Sequence, residues 1–443
     1  MSMDLKIKIS KKKTNIIYFI IAFFMVSGFL INDLRFPRFI IYIADILNIW
    51  LFINAFHYYE KKKGYVCDRE VIKPLTIIAL FLMLSIISLI YNTSSIVTYL
   101  WGFRNYFRFF MFFFSCAVYI TKNDFDKIVK MLYYLILPNI VVASYQYFVL
   151  KADGDHTGGL FGFVSGSSAS LNIYLIIMCI YFALKYLRNE CKLSQFAYIV
   201  SAAFYLAVIG ELKVFFIEFI IIIALAFLLS KKASFKSVIL VAGASFILIY
   251  ANTSLNSIHE YTFRSDKSGG ILSITNLMEY LSRDSGYVGD GDLNRFTAVQ
   301  ILHKMFFSND LIGSLFGFGL GSADYSSSIS FLQSQFYLNY NSLHYQWFSS
   351  SFLFIELGYI GVVLYLLFFI LILCKGIKCF TRDNDNRFYG AFIIIMIPMC
   401  FVNFIYNISL RTESSGYLIF CILSVMYVLQ KENNVFTNEK VGL

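Results

Sequence analysis

Charge is what this chain has least of. Asp, Glu, Lys and Arg make up 14% of its 443 residues, against about a quarter in an ordinary soluble domain. The deficit runs through the whole length and excludes a soluble globular protein. Among the eight cysteines (67, 116, 179, 191, 374, 379, 400 and 421) no pair has zinc-ligand spacing with histidines nearby, which argues against a metal site or a disulfide framework. No Gly-Lys-Ser/Thr closes a phosphate loop and no Gly-x-Ser-x-Gly elbow presents a nucleophile. Internal repeats are absent at every period. "DGDLN" at 290 to 294 starts like a calcium loop but lacks the later glycine and the glutamate at position twelve. "DND" at 383 to 385 resembles a metal-holding aspartate pair, yet it lies in a short polar loop where solvation accounts for it.

What is present is apolar and aromatic. Hydrophobic residues are 58% of the chain, aromatic residues 19%, and the mean hydropathy is +0.68. Apolar runs recur from Ile16 to Gln430, each near the ~20 residues with which a helix crosses ~30 Å of hydrocarbon. Unpaired backbone groups cannot face lipid, so the runs read as helices. Twelve spans are expected near 16–31, 39–56, 75–91, 99–121, 128–150, 167–184, 194–210, 213–230, 237–251, 348–373, 388–408 and 416–430. The first follows the basic stretch "KIKISKKK" with no small-residue cleavage site behind it, so it is expected to be retained.

The formal charge of +10 suggests a nucleic-acid partner until its distribution is read. With the N-terminus inside, 25 of the 37 Lys and Arg fall in inner segments, 5 in short outer segments, 5 in the long stretch 252–347 and 2 within a span. Long translocated loops are exempt from the positive-inside rule, so the contrast is 25 against 5. The excess is a topology signal: residues 1–251 carry nine spans with a cytoplasmic N-terminus, 252–347 form a large outer loop, 348–430 carry three spans, and 431–443 are a cytoplasmic tail. No nucleic acid is implied.

Polar oddities gather on the outer side. Arg104 and Arg108 in "LWGFRNYFRFF" are four apart and share one helix face, roughly 8 and 14 Å below the expected boundary at 1.5 Å per residue. An arginine near mid-bilayer costs about 2.5–3.5 kcal/mol even on the lenient scale. Two on one face point to an anionic partner or a watery cavity, or else to a carboxylate on another span. Lys213 sits at an outer turn beside Glu211, and Glu218 five residues on is free to partner a cation. The Gly- and Ser-rich stretch "KADGDHTGGLFGFVSGSSAS" can bring backbone close to a ligand. In the long loop, "DLNRFTAVQILHKMFF" reads as a helix opened by Arg295, with Asp292 or Asn294 as N-cap. Gly317, Gly319 and Gly321 make a turn. His344 precedes the tenth span, and an unperturbed histidine can take a proton from a sugar hydroxyl at neutral pH. Glu356 lies at the start of that span, placed to orient a base or pair an arginine.

The order of these features resembles the O-antigen polymerase and O-antigen ligase superfamily (Wzy- and WaaL-type), multi-span bacterial glycosyltransferases of GT-C type. The elements that carry the resemblance are "GGLFGFVSGSSAS" from Gly158, a basic residue at an outer turn (Lys213), an arginine (Arg295) before "GFGLG" (317 to 321), then His344 and "ELGYIG" (356 to 361). The resemblance implies an all-α inner-membrane enzyme that joins undecaprenyl-pyrophosphate-linked oligosaccharide repeats on its periplasmic face. It further implies that Arg295 and Lys213 bind the pyrophosphate and that His344 activates or positions the acceptor. Metal, nucleotide and cofactor are not required, and a chain-length regulator is a possible partner. Two departures stand out: the turn residue is a lysine, a point charge instead of a bidentate fork, and the residue after the histidine is Tyr345. Both weaken the ligase reading relative to the polymerase. A flippase would use the intramembrane arginines to guide an anionic substrate, but the long outer loop and the lack of repeating halves speak against it.

Overall fold

The computed structural model describes residues 2–61, 69–92, 95–152, 154–230, 292–326, 329–382 and 386–428. Among these the chain is helical and has no β-strand. The helices are α1 (Ser2–Gly28), α2 (Ile40–Lys61), α3 (Ile72–Tyr91), α4 (Ile96–Tyr119), α5 (Lys122–Ser144), α6 (Ser167–Leu187), α7 (Leu193–Ile209) and α8 (Lys213–Leu229). After the long loop come α9 (Ala298–Phe306), α10 (Leu311–Phe316), α11 (Gln335–Tyr340), α12 (Ser349–Arg382), α13 (Arg387–Tyr406) and α14 (Glu413–Leu423).

Seven helices are long and apolar enough to cross a membrane: α1, α2, α3, α5, α6, α12 and α13. The chain is a multi-pass membrane protein. Four further expected spans are helices too, namely α4 with its two arginines, the 17-residue α7 and α8, and α14. The expected span 237–251 and the loop before residue 292 lie outside the described residues.

Burial separates an axis from a shell. Inside α6, 89% of the apolar window is buried, against 28–39% in α1, α2, α3, α5 and α12. Helix α6 therefore runs through protein, packed by α7, α8, α13 and α14. The shell helices present Ile46, Ile53 and Ile90 outward, as lipid-facing helices must. Helix α4 sits between α2 and α14, and α12 lies along α13 and α3. Local chemistry fixes the ends. Thr121 caps α5 in a capping box, its hydroxyl accepting from Asp124 N while Asp124 Oδ2 accepts from Thr121 N at 2.9 Å. The helix expected from Arg295 starts later, at Ala298, because Asn294 Oδ1 turns back to accept from Phe296 N at 3.0 Å. That local bond competes with helix geometry, and neither Asp292 nor Asn294 is the cap.

One break in a long helix shapes the rest. Gly358 inside α12 has φ 61° and ψ −164°. A Cβ there would lie 2.5 Å from the backbone of Leu315, so only glycine lets α10 approach. The carbonyls freed at the break are satisfied by the loop: Phe318 N donates to Ile355 O and Gly319 N to Glu356 O, both at 2.9 Å. Backbone at this depth demands such partners. The two glycine-bearing motifs noticed separately in the sequence are thus one joint.

Glu218 is fully buried between α6, α8 and α13, and its partners there are amides, Asn172 Nδ2 at 2.8 Å and Asn403 Nδ2. Among the described residues no cation bonds it, so the cation partner that the sequence allowed is not found there. Glu218→Ala strands these buried donors. At about 1–3 kcal/mol for each one left unsatisfied, thermal melting in detergent is expected to show a loss of roughly 3 kcal/mol.

Candidate functional site

The loop end of the bundle holds a cavity of about 380 Å³. Its walls come from the end of α1, the starts of α2, α4, α6 and α14, and the loop at 324–326. Four arginines line it (Arg38, Arg104, Arg108 and Arg411) against two carboxylates, Asp324 and Glu413.

Arg104 and Arg108 are each held by a carboxylate from a different element. Arg104 Nε donates to Asp45 Oδ2 of α2 at 2.8 Å, and its guanidinium lies over Trp101 at 4.8 Å and Tyr42 at 5.0 Å. Arg108 Nη1 donates to Glu413 Oε1 of α14 at 2.9 Å. Its Nε is buried without a hydrogen-bond partner. Both readings of the pair are therefore present at once, since the arginines meet carboxylates on other helices and also line a polar cavity. Asp45 is shared, accepting from Tyr417 Oη at 2.9 Å.

Arg411, in the short connection between α13 and α14, is the cation that sequence reasoning missed. Its guanidinium lies 3.6 Å from the Phe352 ring and is paired with Asp324, which also accepts from Asn105 Nδ2 at 2.7 Å. Burial works against the charge on Arg411, but Asp324, Tyr106 and Glu356 together outweigh it and hold the guanidinium above its ordinary range. Arg411 Nε, like Arg108 Nε, is buried and unbonded. Two buried guanidinium donors beside a cavity are what an incoming anion would satisfy.

The backbone contributes as well. Gly166, with φ +82° and open space where a Cβ would stand, precedes Ser167 at the start of α6. Helix α14 begins at the same cavity. Helix N-termini carry partial positive charge and free N–H groups, so both favour an anion.

Glycines seat the loop. Residues 317 to 324 run between α12 and α4: a Cβ on Gly317 would meet Glu356 C at 2.5 Å, and one on Gly321 would meet Thr98 O at 1.9 Å. Gly319 has φ +100°. Glu356, fully buried, accepts from Gly321 N at 2.9 Å. It anchors the glycine turn, and this turn presents Asp324 and Tyr325 to the cavity. Gly321→Ala is expected to unseat the loop, lowering thermal stability by about 1–3 kcal/mol through backbone strain alone, with the clash added.

No family model matches this chain. A search of curated proteins returns no match either. The assignment of chemistry thus rests on residues.

The other residues singled out in the sequence stand elsewhere. Lys213, at the first position of α8, lies in electrostatic reach of Arg295, Glu211 and Asp155. Arg295 packs its guanidinium over Tyr406 at 4.0 Å. His344 adopts the left-handed conformation at φ 54° and stacks on Trp347 at 4.0 Å, its Nδ1 buried without a hydrogen bond. Leu293 N bonds Leu343 O at 3.0 Å, which ties the Arg295 segment to the His344 segment. The structure thus brings Lys213 near Arg295 and the Arg295 segment beside that of His344, while Arg104, Arg108 and Arg411 line the cavity. Glu356 bonds the loop backbone at Gly321. The described residues contain no cluster of three or more His, Cys, Asp or Glu that could hold a metal ion.

Proposed function

We propose that the protein is a polysaccharide polymerase of the bacterial inner membrane, a GT-C-like enzyme of twelve spans. It would join undecaprenyl-pyrophosphate-linked oligosaccharide repeats of O-antigen or capsule on the periplasmic face. The observation that carries this reading is the cavity lined by four arginines, three of them paired with Asp45, Glu413 and Asp324 and two of these keeping a buried Nε–H unbonded, beside two helix N-termini. Its charge and position suit a lipid diphosphate.

In the transfer, the acceptor hydroxyl attacks the anomeric carbon of the donor, the bond to the diphosphate oxygen breaks, and the hydroxyl proton leaves to a base. A diphosphate is a good leaving group, so the main task is to stabilise the charge that develops on it. Preorganised guanidinium groups in a low-dielectric cavity do this, and Arg104, Arg108 and Arg411 are assigned to it. Lys213 lies in electrostatic reach of Arg295, whose segment is tied by backbone to that of His344, and His344 would take the acceptor proton. Trp347 and the stacked pair Tyr325 and Tyr337, 4.5 Å apart, offer flat faces for sugar rings.

The test is the surface-polysaccharide gel pattern of a deletion strain. Collapse from a ladder to a single-repeat band, rescued by wild type and not by Arg104→Ala at equal protein level, supports the reading. Long chains left on the lipid carrier would indicate a ligase instead, and an unchanged ladder would refute both. Loss of export of the repeats would point to a flippase.

A further inference from the structure

Helix α6 starts at the arginine cavity and ends at a second one. At the opposite end of the bundle a cavity of about 330 Å³ opens between the ends of α6, α8 and α12 and the start of α13. One part of its lining is apolar, with Leu184, Leu187, Leu229 and Ala391, and the other carries Arg188 and Arg387. Lys185 stands beside them, its ammonium 4.7 Å from the Phe388 ring on which Arg188 also lies, at 5.6 Å.

Among the described residues the charges here do not cancel. Glu190 takes both Lys185 and Arg188 at 2.6 Å. Arg387 lies over Phe380 at 4.6 Å and pairs with no carboxylate among the described residues. Among the described residues, these three cations thus share one carboxylate. The surroundings are not those of a soluble-anion site, because Leu228, the neighbour of Leu229, is 71% exposed on an apolar helix. This is also the end where the sequence concentrates its Lys and Arg, as segments facing an anionic leaflet do.

We infer that this cavity is a headgroup site for an anionic phospholipid. The phosphodiester sits between Arg188 and Arg387, and the acyl chains lie along Leu184, Leu187 and Leu229. Guanidinium groups match a phosphate with two N–H donors each, where an ammonium offers a single point of charge. The lipid joins α6, the axis helix, to α8, α12 and α13, so its binding stabilises the bundle in proportion to occupancy. The site is separate from the arginine cavity and does not depend on what that cavity does.

Phosphatidylglycerol added to the purified full-length protein in a neutral detergent tests this, with melting temperature and native mass spectrometry as readouts. Wild type is expected to retain phosphatidylglycerol and to melt higher with it than with phosphatidylcholine. Arg188→Gln with Arg387→Gln should weaken retention by about thirtyfold, roughly fivefold for each cation lost near a membrane surface. Both side chains are partly exposed, so the variant should fold, which gel filtration checks. Arg104→Ala, at the other end, should leave the lipid effect unchanged. Equal retention of phosphatidylcholine, an undiminished effect in the double variant, or the same rise with inorganic phosphate would each overturn the inference.

Discussion

Arg411→Ala is expected to abolish polymer formation and to destabilise the protein, two effects with one origin. The guanidinium is buried, faces Asp324, and lies against the Phe352 ring. Taking it away leaves Asp324 an almost wholly buried charge without its cation, at about 3–5 kcal/mol for breaking a buried pair from one side. Asp324 is also where the loop after the glycine turn joins α4 through Asn105. Its release therefore loosens the cavity wall. A companion variant divides the two effects. Arg411→Met together with Asp324→Asn removes both charges and keeps an acceptor for Asn105, so melting should recover most of the loss. Under the proposed function polymer should not return, because the guanidinium assigned to the diphosphate is still missing. Recovery of both would make Arg411 a purely structural residue.

Arg104→Ala is the second large effect. Losing one preorganised donor aimed at developing charge costs roughly 10²–10³ in rate in enzymes that use such groups. Arg104 also pairs with Asp45, so a loss alone would not separate anion binding from ion pairing. Asp45→Asn separates them. It removes the carboxylate and keeps one oxygen for Arg104, while its amide NH2 can donate to Tyr417 Oη, and polymer output should stay within a few-fold of wild type. Arg104→Lys should recover only part of the activity, since an ammonium cannot present the planar fork. If Asp45→Asn and Arg104→Ala fell equally, the pair would be serving only to hold α2 against α4.

The apolar periods and the two arginines were legible in the sequence because each is a local signal. A run of about 20 apolar residues announces a helix wherever it occurs, and charges inside such a run are conspicuous. The partners were not legible. Asp45, Asp324 and Glu413 come from three segments far apart in sequence, and nothing local to any of them says that they meet one face of α4. Asp45 did carry a signal, being a carboxylate inside an expected span. Arg411 did not, because it sits in an ordinary-looking turn and gains its role from the fold. The glycine turn at 317 to 321 and the Glu356 to Gly358 segment were each visible, but their union was not. It depends on Gly358 breaking α12 so that loop backbone can replace the missing helical bonds. The helix expected from Arg295 is present but starts at Ala298 for a local reason, the Asn294 turn.

The most direct measurement is chain extension by the purified protein in liposomes, supplied with lipid-pyrophosphate-linked repeats extracted from a deletion strain and with no nucleotide or ion gradient. The cavity account predicts a ladder of lengthened lipid-linked chains with wild type and unextended repeats with Arg104→Ala. Unextended repeats with wild-type protein, or equal ladders with both, would contradict it.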